Sequence, residues 1–363
     1  MRRVARFVVR PLVVGPLVVL LVATGIGAFA WRRQPAPRID RRLPALAYDP
    51  RVGEADLMHP LYVPPTPSPT PKPSTPIPKP KPPPKPKPPP GPNLSAFRGL
   101  GAWVDLYDYE FVDAEAAVAD MAAHGVKTLY LQTGRWNKPA PDDKANFQDY
   151  AAAGRWLTAA HAHEMKAIGW YLPAYDDITR DVRRTTAIAH YRAPSGDAFD
   201  GLGIDVEYKG QMPSLAAWNR AVATHAKRVR TALGSRYPIA AIVPAPLAME
   251  VRPQSWVGFP WKALADVSNL FMPMAYWSFR DDCEEKPEHC AYGYTKGNVE
   301  KVRSLTGKPR IPVHVIGGVG DEISTDEVKD FVRAANAVNV YGGSLYDYQT
   351  TKKEYWPLLG KLD

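Results

Sequence analysis

Cysteine is nearly absent from this sequence of 363 residues, which holds only Cys283 and Cys290. Both lie in the acidic segment DDCEEKPEHC, with His289 between them. A structural zinc site takes about four ligands, so two thiols and one imidazole are too few. A disulfide that closes this short loop is favoured instead, and it implies an oxidising compartment.

Several short catalytic motifs are also missing. The sequence contains no phosphate-binding loop, no G-x-S-x-G nucleophile motif and no H-E-x-x-H metalloprotease helix. Its first strand-like segment, GLGAWVDLYDYEF, lacks the glycine-rich turn of a dinucleotide-binding domain. The sequence therefore predicts neither a cofactor nor a metal site.

Acidic residues are scarce at the N-terminal end. Residues 1–92 hold ten Arg, five Lys and four acids, while the whole chain has a formal net charge of +9, so residues 93–363 carry a charge of only −2. The basicity belongs to the N-terminal part and not to the part with a globular composition. We therefore expect no nucleic-acid binding.

The N-terminal segment carries no charge from Pro11 to Trp31. About 20 apolar residues cross a bilayer, whereas the apolar region of a signal peptide has roughly 7 to 15. We expect a basic segment over residues 1–10 and a transmembrane signal anchor over residues 11–31, which would attach the protein to the membrane. Cleavage after Ala30 is the alternative, because residues 28–30 read A-F-A, and the protein would then be secreted.

Proline is concentrated in one region. From Pro64 to Pro92, 17 of 29 residues are proline, interleaved with Lys, Thr and Ser. Such a segment cannot build a core and favours polyproline II, at about 3.1 Å per residue, so it could hold a domain on the order of 90 Å from a membrane. We interpret residues 32–92 as an extracytoplasmic linker, Pro/Lys-rich from residue 64. The alternative is a ligand for intracellular proline-recognition modules.

Residues 93–363 alternate strand-like apolar segments with helical ones. GLGIDVEY, for example, precedes a helix expected from Ser214 to Leu233. Eight such units in about 270 residues predict a (β/α)8 TIM barrel, with a doubly wound sheet as the alternative. Active sites of barrels lie at the carboxyl ends of the strands. The strands here end in polar or aromatic residues: Asp105, Gln132, Tyr171, Tyr276 and Asp347.

The fourth strand-like segment, FDGLGIDVEYKG, ends in two carboxylates, Asp205 and Glu207. Strand alternation places them on the face opposite to Leu202, Ile204 and Val206. Residues on the same face are about 6.7 Å apart along a strand, so the two carboxyls can approach each other and the pKa of one should rise toward that of a general acid. Glycosidic cleavage uses such a pair. The alternative is an ion pair with a Lys or Arg of the barrel interior.

FDGLGIDVEY resembles the D-x-x-D-x-D-x-E motif of family 18 glycoside hydrolases, the chitinase-like enzymes, which are (β/α)8 barrels with this motif on the fourth strand. Asp200, Asp205 and Glu207 match the motif, whereas Gly203 stands where the family has its second Asp. The resemblance implies that Glu207 is the catalytic acid and that Asp205 orients the N-acetyl group of the substrate, which acts as the internal nucleophile. Asp200 would support the motif.

Two later segments extend the resemblance. MAYW is similar to the M-x-Y-D motif of the sixth strand, so Met274 and Tyr276 match while Trp277 replaces the Asp. YGGSLYDY is similar to the Gly-Gly strand of the family, with Asp347 at the place of a substrate-stacking Trp. Family 25 lysozymes offer a second resemblance, with a D-x-E pair and an early Asp that Asp105 could supply. A weaker resemblance, to uncharacterised actinobacterial envelope proteins with the same stalk and barrel, assigns no reaction.

These features predict a monomeric, membrane-tethered, extracytoplasmic glycoside hydrolase-like enzyme that acts on an N-acetylated polysaccharide such as chitin or peptidoglycan. The expected catalytic residues are Glu207, Asp205 and Tyr276. The other residues expected to contact the substrate follow strand ends: Asp105, Gln132, Trp136, Tyr171, Met274, Trp277, Tyr346 and Asp347. A non-catalytic carbohydrate-binding barrel and a structural cell-envelope protein are the alternatives.

Overall fold

A computed structural model describes residues 91–210 and 212–362 of the chain. The predicted basic segment 1–10, the predicted anchor 11–31 and nearly all of the predicted linker 32–92 lie outside these residues, and they stay predictions. Within the part of the chain that the structure describes, no helix combines the length and the apolar character needed to cross a bilayer.

Eight parallel strands form a closed barrel in which each strand pairs with the next and the last pairs with the first. The predicted (β/α)8 TIM barrel is thereby confirmed. The strands are β1 (Gly99–Val104), β2 (Thr128–Arg135), β3 (Lys166–Leu172), β4 (Gly201–Asp205), β5 (Ile239–Pro244), β6 (Leu270–Met274), β7 (His314–Val319) and β8 (Gly342–Tyr346).

Helices connect the strands and form the outer layer. Side chains that precede them fix where some begin: Asp113 accepts a hydrogen bond from the Ala116 N–H (2.9 Å) and Ser214 from the Ala217 N–H (3.2 Å). The helices are α1 (Ala114–Ala123), α2 (Tyr150–Ala162), α3 (Ile178–His190), α4 (Leu215–Leu233), α5 (Pro246–Val251), α6 (Trp261–Val267), α7 (Ala291–Leu305), α8 (Thr325–Ala337) and α9 (Trp356–Leu359).

Two layers of buried side chains hold the barrel together. The larger layer lies between the strands and the helices and includes Leu202, Ile204 and Val206, the face of β4 that alternation assigned to it. The second layer fills the inside of the barrel and is rich in aromatic rings. Its main members are Phe97, Trp103, Tyr130, Ile168, Trp170, Ile242, Met272 and Ile316.

Glycine makes room for these rings on the inner face. A Cβ atom at Gly342 would lie 2.6 Å from the Phe97 carbonyl oxygen and would overlap the His314 ring. His314 is fully buried, its Nε2 lies 3.0 Å from Ser344 Oγ, and burial lowers its pKa to about 4. This part of the barrel is therefore closely packed, and a ligand would have to bind at the carboxyl ends of the strands.

The predicted disulfide between Cys283 and Cys290 is present. It lies in the segment that joins β6 to α7, on the same side of the barrel as the carboxyl ends of the strands. His289, inside the closed loop, points its Nδ1 at Asp282 Oδ1 (2.5 Å). The scarcity of cysteine was therefore sufficient to predict the bond.

Candidate active site

The acid pair lies at the carboxyl end of β4 and faces the inside of the barrel. Asp205, the last residue of the strand, pairs with Ile242 of β5 and is 5% exposed. Its Oδ1 atom is buried and has no hydrogen-bond partner among the described residues. Glu207 follows two positions later and is partly exposed. We call the open end of the barrel, at the carboxyl ends of its strands, the mouth. The two carboxyls therefore lie where the mouth meets the buried interior of the barrel.

Burial controls the protonation of this pair. Desolvation raises the pKa of Glu207 to about 7 and that of Asp205 well above its usual range, and the nearby Glu207 charge raises the pKa of Asp205 further. The Arg135 guanidinium opposes both shifts but does not cancel them. The pair therefore keeps at least one proton at neutral pH, which is the property that a general acid needs.

Two tyrosines from β6 and β8 line the mouth next to the acid pair. The Tyr276 and Tyr346 ring centroids are 5.8 Å apart. Met274, the last residue of β6, lies two positions before Tyr276 and packs against the same inner layer. The charges of Glu207 and Asp205 help to keep the Tyr276 hydroxyl protonated, because burial and these carboxylates together raise its pKa. The structure thus brings Tyr276, Met274 and Tyr346 together at the mouth, and their contacts with a substrate stay predictions.

A second group of carboxyls, from β1 and β8, completes the mouth. Asp105 accepts a hydrogen bond from the Tyr346 hydroxyl (3.3 Å), and the Asp105 N–H donates to Asp108 Oδ2 (3.1 Å). Asp347 accepts from the Thr350 N–H (3.0 Å). Burial raises the pKa of Asp105, and burial with mutual repulsion raises that of Asp108 to about 8 and that of Asp347 to about 6. Asp105 and Asp347 were predicted, whereas Asp108 was missed because it follows the strand in a short 3₁₀ helix.

Residues in the last part of β2 and just after it form one side of the mouth. Gln132 is 3% exposed and its Oε1 accepts a hydrogen bond from the Leu106 N–H (3.2 Å), so it ties β2 to the loop after β1. Trp136 stacks on Tyr208, with ring centroids 4.4 Å apart and planes 5° apart. The Trp136 and Tyr208 pair therefore links the loops that follow β2 and β4, and Tyr208 was not among the predicted residues.

Two predicted contacts are not in the mouth. Tyr171 is fully buried on the outer face of β3, where its hydroxyl donates to Asp181 Oδ1 (2.9 Å), while its neighbour Trp170 takes the inner face. Trp277 is 2% exposed and its ring packs 5.3 Å from that of Phe331 in α8. The prediction that these two rings bind substrate is corrected, because both fill the layer between strands and helices.

Asp200 lies at the opposite end of β4 from the acid pair. It accepts hydrogen bonds from the Ala167 N–H (2.9 Å), from Lys166 Nζ (3.0 Å) and from His161 Nε2 (3.0 Å). It therefore supports the start of β4 and its pairing with β3, and it does not reach the mouth. Gly203, between Asp200 and the pair, faces an inner layer that Ile242 and Trp170 already fill.

Arg135 is the basic residue of the mouth that sequence reasoning missed. It ends β2 after a register shift between Gln132 and Gly134, and it is 8% exposed. The alternation rule fails at this shift, so the inward direction of its side chain was not predictable, although its position at a strand end was a signal. No salt bridge joins it to Asp205 or Glu207 within the described residues, so the ion pair considered as an alternative is not formed.

No group of three or more His, Cys, Asp or Glu side chains is arranged to hold a metal ion in the described part of the chain. What the mouth offers is a set of proton-holding carboxyls, two tyrosines and one arginine. A protonated carboxyl of this set can donate a proton to a leaving group, and an ionised one can stabilise a positive charge. These are the two tasks of glycosidic cleavage.

Comparisons with known proteins bear on the fold. No protein-family model matches the sequence, and no curated protein matches it either. Solved structures do match. A GH5_18 protein from Streptomyces cattleya in complex with GlcNAc is 10% identical, with a TM-score of 0.54 over 73% of this chain and 79% of that one.

Two other solved structures are similar to the same degree. A class V chitinase from Pseudomonas fluorescens Pf-5 is 11% identical, with a TM-score of 0.52 over 73% of this chain and 100% of that one. An endo-β-1,4-mannanase from Thermotoga petrophila is 13% identical, with a TM-score of 0.51 over 69% of this chain and 68% of that one. These likenesses show the fold. The chain is a TIM barrel of the kind found in these glycoside hydrolases.

Proposed function

We propose that the protein is a glycoside hydrolase that cleaves an N-acetylated polysaccharide, chitin-like or peptidoglycan, and that Glu207 protonates the leaving oxygen. The observation that carries the proposal is the pair formed by the buried Asp205 and the half-buried Glu207 at the carboxyl end of β4, where the active sites of barrel enzymes lie. In this proposal Asp205 orients the substrate's N-acetyl group, and Tyr276 donates a hydrogen bond beside it.

Support for a sugar ligand comes from the aromatic lining of the mouth. Tyr276 and Tyr346 lie next to the acid pair, and the stacked Trp136 and Tyr208 form one side. Aromatic faces bind the apolar faces of sugar rings, so this lining favours a glycan ligand over a purely structural role. One structural neighbour is a class V chitinase and another holds GlcNAc, which agrees with an N-acetylated substrate.

The proposed setting is the outer side of a membrane. The anchor over residues 11–31 and the proline-rich linker would hold the barrel, a monomer, within reach of a polysaccharide beyond the membrane. The disulfide between Cys283 and Cys290 supports an oxidising compartment.

A non-catalytic carbohydrate-binding barrel is the second candidate, and Gly203 is the observation that favours it. The family 18 motif has an Asp at this position, but a Cβ atom here would lie 2.8 Å from Ile242 Cδ1 and 3.2 Å from Trp170 Cβ. The inner layer therefore has no room for a carboxylate side chain at residue 203. If the motif acid that Gly203 replaces is needed for turnover, this barrel binds glycans without cleaving them.

Glu207→Gln in the full chain separates the two candidates. We expect hydrolysis of chitin oligomers or of peptidoglycan glycan strands to fall by about 10²- to 10⁴-fold while binding persists, since general acid catalysis is typically worth that much. Glu300→Gln, at an exposed glutamate of α7, is the matched control and should retain full activity. Undiminished hydrolysis by Glu207→Gln would exclude the proposed acid, and a wild type that binds these glycans without turnover would favour the second candidate.

Asp205→Asn tests the partner of the acid. The substitution removes one of the two protons that the coupled pair can hold, so the pH profile should lose one titration step as the rate falls. Rates are measured from pH 4 to 9 on the glycan that the wild type cleaves. An unchanged pH profile would show that Asp205 does not share protons with Glu207.

A further inference from the structure

Arg135 is held in place by its backbone, not by a carboxylate. The shift in strand pairing after Gln132 brings it to the end of β2, where its N–H donates to the Lys138 carbonyl (2.6 Å) and its carbonyl accepts from the Lys138 N–H (2.9 Å). The side chain is more than nine-tenths buried, with its guanidinium carbon 5.6 Å from the centre of the Tyr107 ring and 5.9 Å from that of Trp136. The guanidinium therefore lies near the rings of Tyr107 and Trp136.

One edge of this guanidinium has no hydrogen-bond partner among the residues that the structure describes. Nη1 donates to the Tyr107 hydroxyl, whereas Nε is buried and makes no hydrogen bond within the described residues, and Nη2 makes none there either. Nε and Nη2 form the side of an arginine that binds both oxygens of a carboxylate. Arg180, a second buried arginine of the same barrel, pairs with Asp176 and Asp181.

The nearby acids do not use this edge. The Arg135 charge opposes the rise in the pKa of three carboxyls, those of Asp105, Asp205 and Glu207. None of the three forms a salt bridge with Arg135 in the described residues. Burial makes these carboxyls hold protons more readily than usual, so they cancel less of the guanidinium charge. A buried Nε–H without a partner costs free energy unless a ligand accepts its hydrogen bond. The ligand that matches the shape and charge of the Nε and Nη2 edge is a carboxylate.

We propose that Arg135 binds a carboxylate of the glycan, so that the preferred substrate is an N-acetylated polysaccharide with acidic sugars and not a neutral one. This proposal rests on the proposed function, and it narrows the substrate class. Two sources have this chemistry: a lactyl ether on an amino sugar, as in peptidoglycan strands, and the C6 carboxylate of a uronic acid. Trp136 and Tyr208 would lie beside the ring that carries the acid.

The test compares glycans that differ only in the acid. Calorimetry measures the binding of two matched pairs of glycans to the full chain in detergent. The first pair is a peptidoglycan tetrasaccharide and the same tetrasaccharide after reduction of its lactyl carboxylate to an alcohol. The second pair is an acidic oligomer of N-acetylated uronate and its carboxyl-reduced form. We expect wild type to bind at least one acidic glycan about 10- to 100-fold more tightly than its reduced partner, as charge-assisted bidentate pairs do. Whichever source shows the preference is the substrate class.

Variants then assign the preference to Arg135. Arg135→Gln should abolish it while changing affinity for the reduced glycan less than threefold, Arg135→Lys should keep part of it, and Arg333→Gln, at an exposed arginine of α8, should keep it all. Equal wild-type affinity for acidic and reduced glycans of both sources would overturn the proposal, and this comparison needs no variant to fold. Equal weakening of both glycans by Arg135→Gln would also overturn it. Because binding is read without turnover, an acid preference without hydrolysis would refute the proposed function and leave this proposal standing.

Discussion

The raised pKa of Glu207 predicts a pH-dependent effect of one substitution on stability. Its pKa rises from 4.5 to about 7 on folding, so the folded state binds a proton that the unfolded state has released. The stabilisation from this proton is fully present below pH 4.5 and is lost as the pH rises through 7. One pKa unit is about 1.4 kcal/mol, so the loss amounts to roughly 3 kcal/mol.

Glu207→Gln removes this proton equilibrium and keeps the shape of the side chain. The variant should therefore match the wild type near pH 4.5 and exceed its free energy of unfolding by roughly 3 kcal/mol at pH 8.5, because only the wild type must then bury a charge there. For a domain of this size that difference corresponds to about 5 to 10 °C in Tm. Carboxyls that do not interact with Glu207 titrate alike in both proteins and do not contribute to the difference. Asp205 is the exception, because the Glu207 charge raises its pKa only in the wild type, and the loss of this repulsion adds to the advantage of the variant at high pH.

Urea and thermal unfolding of both proteins at half-unit steps from pH 4.5 to 8.5 measure the effect, with Glu300→Gln as the control that should follow the wild type at every pH. A stability difference that does not change with pH would refute the reasoning. A variant that is less stable by several kcal/mol at all pH values would instead show that Glu207 forms a buried ion pair, since breaking such a pair leaves a charge without a partner.

Three further predictions concern the rest of the chain. Replacing Cys283 and Cys290 by serine should lower stability by about 2 to 3 kcal/mol, measured by urea unfolding, because the disulfide closes only a short loop, and the native protein should show no free thiol on labelling. Deleting Pro64 to Pro92 should leave the Tm of the barrel within about 1 °C, since polyproline II is stiff by local sterics and needs no core; a large drop in the Tm would mean that the linker packs on the barrel. Gly342→Ala should lower the free energy of unfolding by several kcal/mol, because the new Cβ atom would lie 2.6 and 2.7 Å from backbone oxygens. Gly343→Ala should cost less than half as much, because the nearest contacts of its Cβ atom are side-chain atoms at 3.1 Å or more. Equal losses of stability on thermal unfolding would contradict the packing described for the inner face.

Local sequence was sufficient for the barrel and for the position of its acid pair. Eight alternating units have few other ways to bury their apolar faces, and the alternation of GLGIDVEY put Asp205 and Glu207 opposite to Leu202 and its neighbours, as the structure has them. The disulfide followed from there being only two cysteines. These features depend on periodicity and counting, which a sequence contains in full.

The sequence did not show which aromatic side chains point into the barrel and which point toward the helices. β3 reads KAIGWYL, and its second to seventh residues are all buried, so polarity does not reveal which face is the inner one. Only the pairing of Trp170 with Gly203 on β4 assigns Trp170 to the inside and Tyr171 to the helices. Trp277 likewise follows a strand end, but the glycines of β7 leave space behind it, and its ring fills that space against α8.

The sequence by itself determined the fold, the disulfide and the strand that carries the acids, because each depends on neighbours along the chain. Only the tertiary structure decided which side chains share the mouth with them. Arg135 points inward because of a register shift between two strands. Asp108 joins the acids because the turn after β1 brings its Oδ2 within hydrogen-bond distance of the Asp105 N–H. Burial, which sets the protonation of the whole group, is produced by chain segments far apart in the sequence, and no local pattern contains it.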